Sequence, residues 1–238
     1  MQFTFGIITN NNNQAVNLII DSIEKQNMPE YEIIVVGIEI NRKNTKCIAF
    51  NENIHPGWIT RKKNIITQHA TYENIVYMHD YIILEDNWYT GFLNYGNNFD
   101  IIVNKIINSD GSRFRDWILN IDFLKGKVLK VVQNAPNRNC HDTWITCSED
   151  VRRKLNIPHT ISSPIFLDYD NDGEERQKYI YISGGFFICK KHVMMDYPLN
   201  EILLHCQGED VEWCQRVREK YKFKFNKFSS VKLLKYKQ

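Results

Sequence analysis

Three groups of residues have types and spacing suited to chemistry. His79-Asp80 falls inside the apolar run Asn74 to Leu84 and ends its buried part. A carboxylate at a strand tip is a hard oxygen ligand of the kind Mg²⁺ or Mn²⁺ takes. In open α/β sheets, ligands sit beyond the carboxyl ends of the strands. The plainer use of Asp80 is to cap the helix that starts near Asp86, or a turn. Glu209-Asp210 follows Gly208 and opens a helical stretch. A carboxylate there can take a proton as a general base, and the helix dipole also favours acids in a first turn, by about 0.3–1 kcal/mol. Arg61, Lys62 and Lys63 stand together on a third stretch. The plainer use of such a run is a solvated helix face.

These groups need elements to position them. Gln2 to Thr9 reads as a first strand and loop. Val16, Ile19, Ile20 and Ile23 recur at helical spacing within Ala15 to Lys25, which predicts an amphipathic helix. Ile33 to Val36 is a second buried strand, so the chain opens β-α-β with parallel strands and a right-handed crossover. Lys46 to Phe50 is a weaker strand, and Gly57 to Ala70 a helix. The strand Asn74 to Leu84, a short helix Asn87 to Tyr95 and a strand Asp100 to Ile107 follow. From Asp110 to Asp172 periodicity breaks down, as in functional or mobile segments. Trp117, Asp142 to Trp144 and the turn Asp168 to Gly173 lie there. Regularity returns with Gly184-Gly185, a strand Phe186 to Cys189, a helix Lys191 to Asp196, and a helix from Gly208 to Lys220 with Val211, Cys214, Val217 and Tyr221 inward. Lys220 to Gln238 carries seven lysines and no acid. Alternation of Lys222 and Lys224 with Phe223 and Phe225 predicts a strand with a basic face.

At 238 residues, 43% hydrophobic and 24% charged, the chain is a soluble globular protein with a sizeable core. A net charge of +2 gives no global pull toward nucleic acid or membrane. No apolar run approaches a transmembrane segment of roughly 20 residues, and Met1 to Phe5 lacks the charged start of a signal peptide. The expected location is cytoplasmic, with all six cysteines reduced. None of them forms a C-x-x-C pair, and a Cys140, His141 and Cys147 cluster is a weak metal candidate.

The ordered motifs resemble a family 2 glycosyltransferase with the A-type (GT-A) fold. They are Glu32-Ile33-Ile34-Val35-Val36, Gly57-Trp58-Ile59-Thr60-Arg61-Lys62-Lys63-Asn64, His79-Asp80-Tyr81, Gly184-Gly185 and Gly208-Glu209-Asp210. The resemblance implies an α/β nucleotide-diphospho-sugar transferase fold, with a mostly parallel central sheet flanked by helices. It implies one domain over 1–238, with a nucleotide-binding half (1–107) and an acceptor half with the tail (108–238). It implies transfer of a sugar from a nucleotide-sugar donor, a UDP-sugar, to a glycan or protein acceptor, with Mn²⁺ or Mg²⁺. Asp80 would hold the metal. Thr9, Asn10, Asn11, Gly37, Glu39, Arg61, Lys63 and His79 would bind the nucleotide, with Arg61 or Lys63 meeting the diphosphate. Asp210 would be the base of an inverting reaction, and Glu209 would contact the acceptor.

The chain departs from the pattern at Gly37, where such families carry Asp and where Glu39 is the substitute. It departs at Lys63, where Arg is common, and at His79, where a second acid is usual. A non-catalytic carbohydrate- or nucleotide-binding protein is the alternative. A sugar-1-phosphate nucleotidyltransferase would need a Gly-rich, Arg-containing first loop, which Ile8 to Asn12 does not supply.

Overall fold

Strands here read as unbroken apolar runs because both of their faces are covered. Alternate residues of the same strand enter different cores. Ile34 and Val36, Ile75 and Tyr77, and Phe187 and Cys189 join one core, which three helices cover. Ile33 and Val35, Val76 and Met78, and Phe186 and Ile188 join the other. The computed structural model describes residues 1–116, 169, 180–204 and 207–237. Trp117, Trp144, Asp142 to Trp144, the Cys140, His141 and Cys147 cluster, and all of Asp168 to Gly173 but Tyr169 lie outside the described residues.

The elements in order are β1 (Phe3–Ile8), α1 (Asn13–Glu24), β2 (Tyr31–Val36), β3 (Thr45–Ile48), α2 (Ile59–His69), β4 (Asn74–His79), β5 (Ile82–Leu84), α3 (Trp88–Tyr95), β6 (Ile101–Ile107), β7 (Phe186–Lys190), α4 (Lys191–Asp196), α5 (Glu209–Val217) and β8 (Phe223–Leu233). One eight-stranded sheet runs β3-β2-β1-β4-β7-β6-β8-β5. Helix α1 buries Val16, Ile19, Ile20 and Ile23, as its spacing predicts. It shares its core with Trp88 and Phe92 of α3. Helices α2, α4 and α5 cover the opposite face through Ile66, Val193, Trp213 and Val217. Among the described residues no helix is long and apolar enough to cross a membrane.

Three sequence expectations need correction. The sheet is mixed rather than mostly parallel: β7 runs antiparallel to both β4 and β6, and β5 antiparallel to β8. Strand direction leaves no trace in apolar periodicity, so the run Phe186 to Cys189 could not disclose it. Next, Asn74 to Leu84 is two strands and not one. The chain turns at Asp80-Tyr81, where Tyr81 N donates to His79 O at 2.8 Å, and β5 crosses to the far edge of the sheet. Last, α5 ends at Val217, with Trp213 in the core and Val211 only packed against it.

Candidate active site

Strands β2, β1 and β4 end in register, since Ile8 pairs with both Val36 and His79. Their next residues, Gly37, Thr9 and Asp80, therefore share the carboxyl edge of the parallel part of the sheet. Thr9 is 3% exposed and ties this edge together. Its hydroxyl donates to Asp80 Oδ2 at 2.7 Å and accepts from Asn12 N at 3.1 Å. Its carbonyl accepts from Lys62 Nζ at 2.7 Å. Asn12 in turn caps α1, its Oδ1 accepting from Ala15 N. Asn10 and Asn11 are exposed at the tip of this loop, with Asn11 at φ +69°.

Gly37 has a structural reason to be glycine. It sits at φ +131°, and a Cβ there would fall 2.2 Å from Thr9 O. The Asp that the resemblance calls for has no room in this backbone. Glu39, two residues on, is exposed at the same edge.

The three consecutive bases of α2 point three ways, as the helical step of about 100° per residue requires. Arg61 turns outward to Glu201, at 3.1 Å and 3.4 Å. Lys62, 3% exposed, pairs with Glu52 besides holding Thr9. Lys63 is 1% exposed and donates to Gly184 O at 2.6 Å. Burial lowers the Lys63 pKa to about 8, against the pull of Glu209 and then Asp210. Lys62 is the residue that sequence reasoning missed. Its signal was available, because a lysine between two others on a helix must face a different side.

Gly184-Gly185 joins the two acidic ends. Gly185 O accepts from His79 N at 3.0 Å. A Cβ on Gly185 would meet Tyr81 Oη at 2.6 Å, so this backbone lies directly against the residue after Asp80. Gly184 faces the other acid: its N–H donates to Asp210 Oδ2 at 3.1 Å. A Cβ on Gly184 would lie 3.1 Å from both Asp210 Oδ2 and Glu209 Oε1. One glycine pair thus contacts the end of β4, the start of α5 and Lys63.

Asp210 Oδ1 accepts from Val211 N at 2.9 Å. Burial raises the Asp210 pKa above the ordinary carboxylate value, against the opposing effect of Lys63 and the backbone N–H groups. Glu209 beside it is 6% exposed. The structure brings Thr9, Gly37, His79, Asp80, Lys63, Glu209 and Asp210 to one edge. It leaves Asn10, Asn11 and Glu39 displayed there and directs Arg61 to Glu201.

His79 is 8% exposed and stands edge-on to Tyr81, with ring centroids 5.5 Å apart. Among the described residues no group of three or more His, Cys, Asp or Glu gathers. At the turn after β4 the carboxylate is Asp80, half-buried, with one oxygen already accepting from Thr9. That does not make a closed cation cage. It does fit a cation held by one carboxylate together with phosphate oxygens and water, the usual habit of Mg²⁺.

Comparison with solved structures identifies the fold as GT-A. Staphylococcus aureus TarS 1–349 superposes with a TM-score of 0.55 at 12% identity over 97% of this chain. Its complex with UDP gives 0.56 at 12% identity over 98%. GalNAc-T7, solved with UDP, GalNAc and Mn²⁺, gives 0.59 at 14% identity over the whole chain. This chain spans 60% and 61% of the two TarS structures and 44% of GalNAc-T7. No protein-family profile and no curated protein sequence matches it.

Proposed function

We propose that this chain is a glycosyltransferase, akin to family 2, that moves a sugar from a UDP-sugar to an acceptor hydroxyl with inversion. The observation that carries this is the Gly184-Gly185 contact, which puts the Asp80 turn and Asp210 on two sides of one backbone segment. In this reading residues 1–107 bind the nucleotide, and 108–238 supply the acceptor side.

Thr9 fixes the Asp80 carboxylate, which would hold Mn²⁺ or Mg²⁺ against the diphosphate. The bound cation would supply charge neutralisation for the leaving group. Asn10, Asn11 and Glu39 are displayed for the base and ribose. Asp210 takes the proton of the attacking hydroxyl, and Glu209 orients the acceptor. The new bond joins the acceptor oxygen to the anomeric carbon. The bond to the diphosphate oxygen breaks, and its electron pair leaves with that oxygen. One displacement at one carbon inverts it. Burial makes Asp210 a stronger base than a free carboxylate, while its two N–H partners keep it aimed.

The test is incubation with Mn²⁺ and a panel of UDP-sugars, reading UDP release with and without oligosaccharide acceptors. Release that depends on Asp80 and Asp210 supports the reading. UDP binding with no release, unchanged in Asp80→Ala and Asp210→Ala, supports the non-catalytic alternative.

A further inference from the structure

Lys63 is a buried charge on this edge to which the transfer chemistry above gives no task. It is 1% exposed. An ammonium group taken out of water is costly unless acceptors and negative charge accompany it. Its Nζ donates to Gly184 O at 2.6 Å and stands over the ring of Phe187, 5.6 Å from the centroid. The acids that attract it are Glu209 and then Asp210.

Gly184 joins this cation to Asp210. Its carbonyl accepts from Lys63, and its N–H donates to Asp210 Oδ2 at 3.1 Å. A Cβ there would lie 3.1 Å from both Asp210 Oδ2 and Glu209 Oε1, so a side chain would press the acids away from this backbone. In a water-poor site the hydrogen bonds of such a chain polarise one another. Helix α2 places Lys63 and α5 places Asp210, and the two helices share one core through Ile66 and Trp213. Burial raises the Asp210 pKa, and Lys63 is the strongest opposing influence. Lys63 itself titrates at about 8, so its charge is in place where Asp210 takes up a proton.

The other groups around Asp210 do not duplicate this. Glu209 and Glu212 share its helix and its sign. Cys214, one turn along, is a buried thiol. Across Gly185 stand His79, whose backbone N–H donates to Gly185 O, and the Tyr81 hydroxyl. Arg218, at the far end of α5, donates to Ile180 O at 2.6 Å.

We propose that Lys63 is a positioning residue for the proton transfer: by its charge and through Gly184 it holds the Asp210 carboxylate ionised and in place. This rests on the reading of Asp210 as the base given above. The acceptor hydroxyl gives its proton to Asp210 as the new bond forms, and no proton passes through Lys63.

The experiment uses the whole chain as wild type, K63M and D210N, with melting temperature to check each fold. Carboxyl-carbon NMR follows the Asp210 titration, its signal assigned by loss in D210N, and side-chain carbon NMR follows Lys63. The expected result is that the Asp210 midpoint moves to higher pH in K63M. Reciprocally, the Lys63 midpoint, about 8 in wild type, moves to lower pH in D210N. With Mn²⁺ and a UDP-sugar, K63M should lose about tenfold more rate on the acid side of its profile than on the plateau, the effect of removing one close opposite charge. Its UDP affinity should change little. Midpoints that stay in place in both variants overturn the proposal. So does a K63M protein that loses UDP affinity while its acid limb stays put, which gives Lys63 to the donor. If K63M does not fold, the Lys63 midpoint in D210N decides alone. Coupled titrations without UDP release from wild type remove the transferase reading, and the proton-transfer role with it.

Discussion

Thr9 Oγ1 donates to Asp80 Oδ2 at 2.7 Å, across 71 positions of sequence. The bond links the loop after β1 to the turn after β4, and it fixes the carboxylate to which the proposed function gives the cation. Thr9→Val keeps the shape and removes the hydroxyl. A hydrogen bond to a charged group is worth about 1.5–3 kcal/mol. UDP affinity in Mn²⁺ should therefore fall about tenfold, with a smaller loss in melting temperature. Calorimetry that finds the variant equal to wild type contradicts a positioning role for Thr9.

Asp210→Asn should separate rate from binding. A general base contributes roughly 10²–10⁴-fold, so kcat should fall by that factor while UDP affinity stays within a few fold. Because burial raises the Asp210 pKa, the acid limb of the wild-type rate profile should lie above the ordinary Asp value of 3.8. Activity falls as pH drops through that limb, since the base must be ionised. Asp210→Glu should shift the limb. A limb unmoved by Asp210→Glu argues for another base.

Lys63 gives a pH signature in stability. Its folded-state pKa is lowered to about 8, against the ordinary 10.5. Between those values the unfolded chain binds more protons than the folded one, so the Lys63 contribution rises with pH. Wild type should gain on Lys63→Met by a few kcal/mol from pH 8 toward pH 10, an order-of-magnitude figure. Parallel urea-denaturation curves for the two proteins across that range contradict the burial of a charged Lys63.

The glycine pair makes a paired prediction. Gly185→Ala puts a methyl 2.6 Å from Tyr81 Oη. Overpacking of this kind costs about 1–3 kcal/mol. Removing the phenol oxygen in Tyr81→Phe should restore part of that loss, with a coupling of about 0.5–3 kcal/mol in a double-mutant cycle. Additive effects show that Gly185 and Tyr81 do not touch.

Much of this was legible in the chain itself. Val16, Ile19, Ile20 and Ile23 marked α1, and Ile33 to Val36 marked β2, because periodicity records which face is covered. The order of Asp80, Gly184-Gly185 and Asp210 pointed to GT-A before any coordinates. What stayed hidden depends on partners distant in sequence. Ile82 to Leu84 continues the apolar run after Asp80, so nothing local reveals that it pairs with β8 instead of extending β4. Gly37 looked like a missing acid until Thr9 O was seen to occupy its side-chain space. The bond from Lys63 to the carbonyl of Gly184, 121 positions away, likewise has no local signal.

The most direct test is a crystal structure of the protein with UDP and Mn²⁺. The account predicts density for the diphosphate beside Asp80 with the cation between them, and Asp210 facing the same pocket across Gly184. A nucleotide bound elsewhere, with Asp80 contacting neither cation nor phosphate, contradicts it.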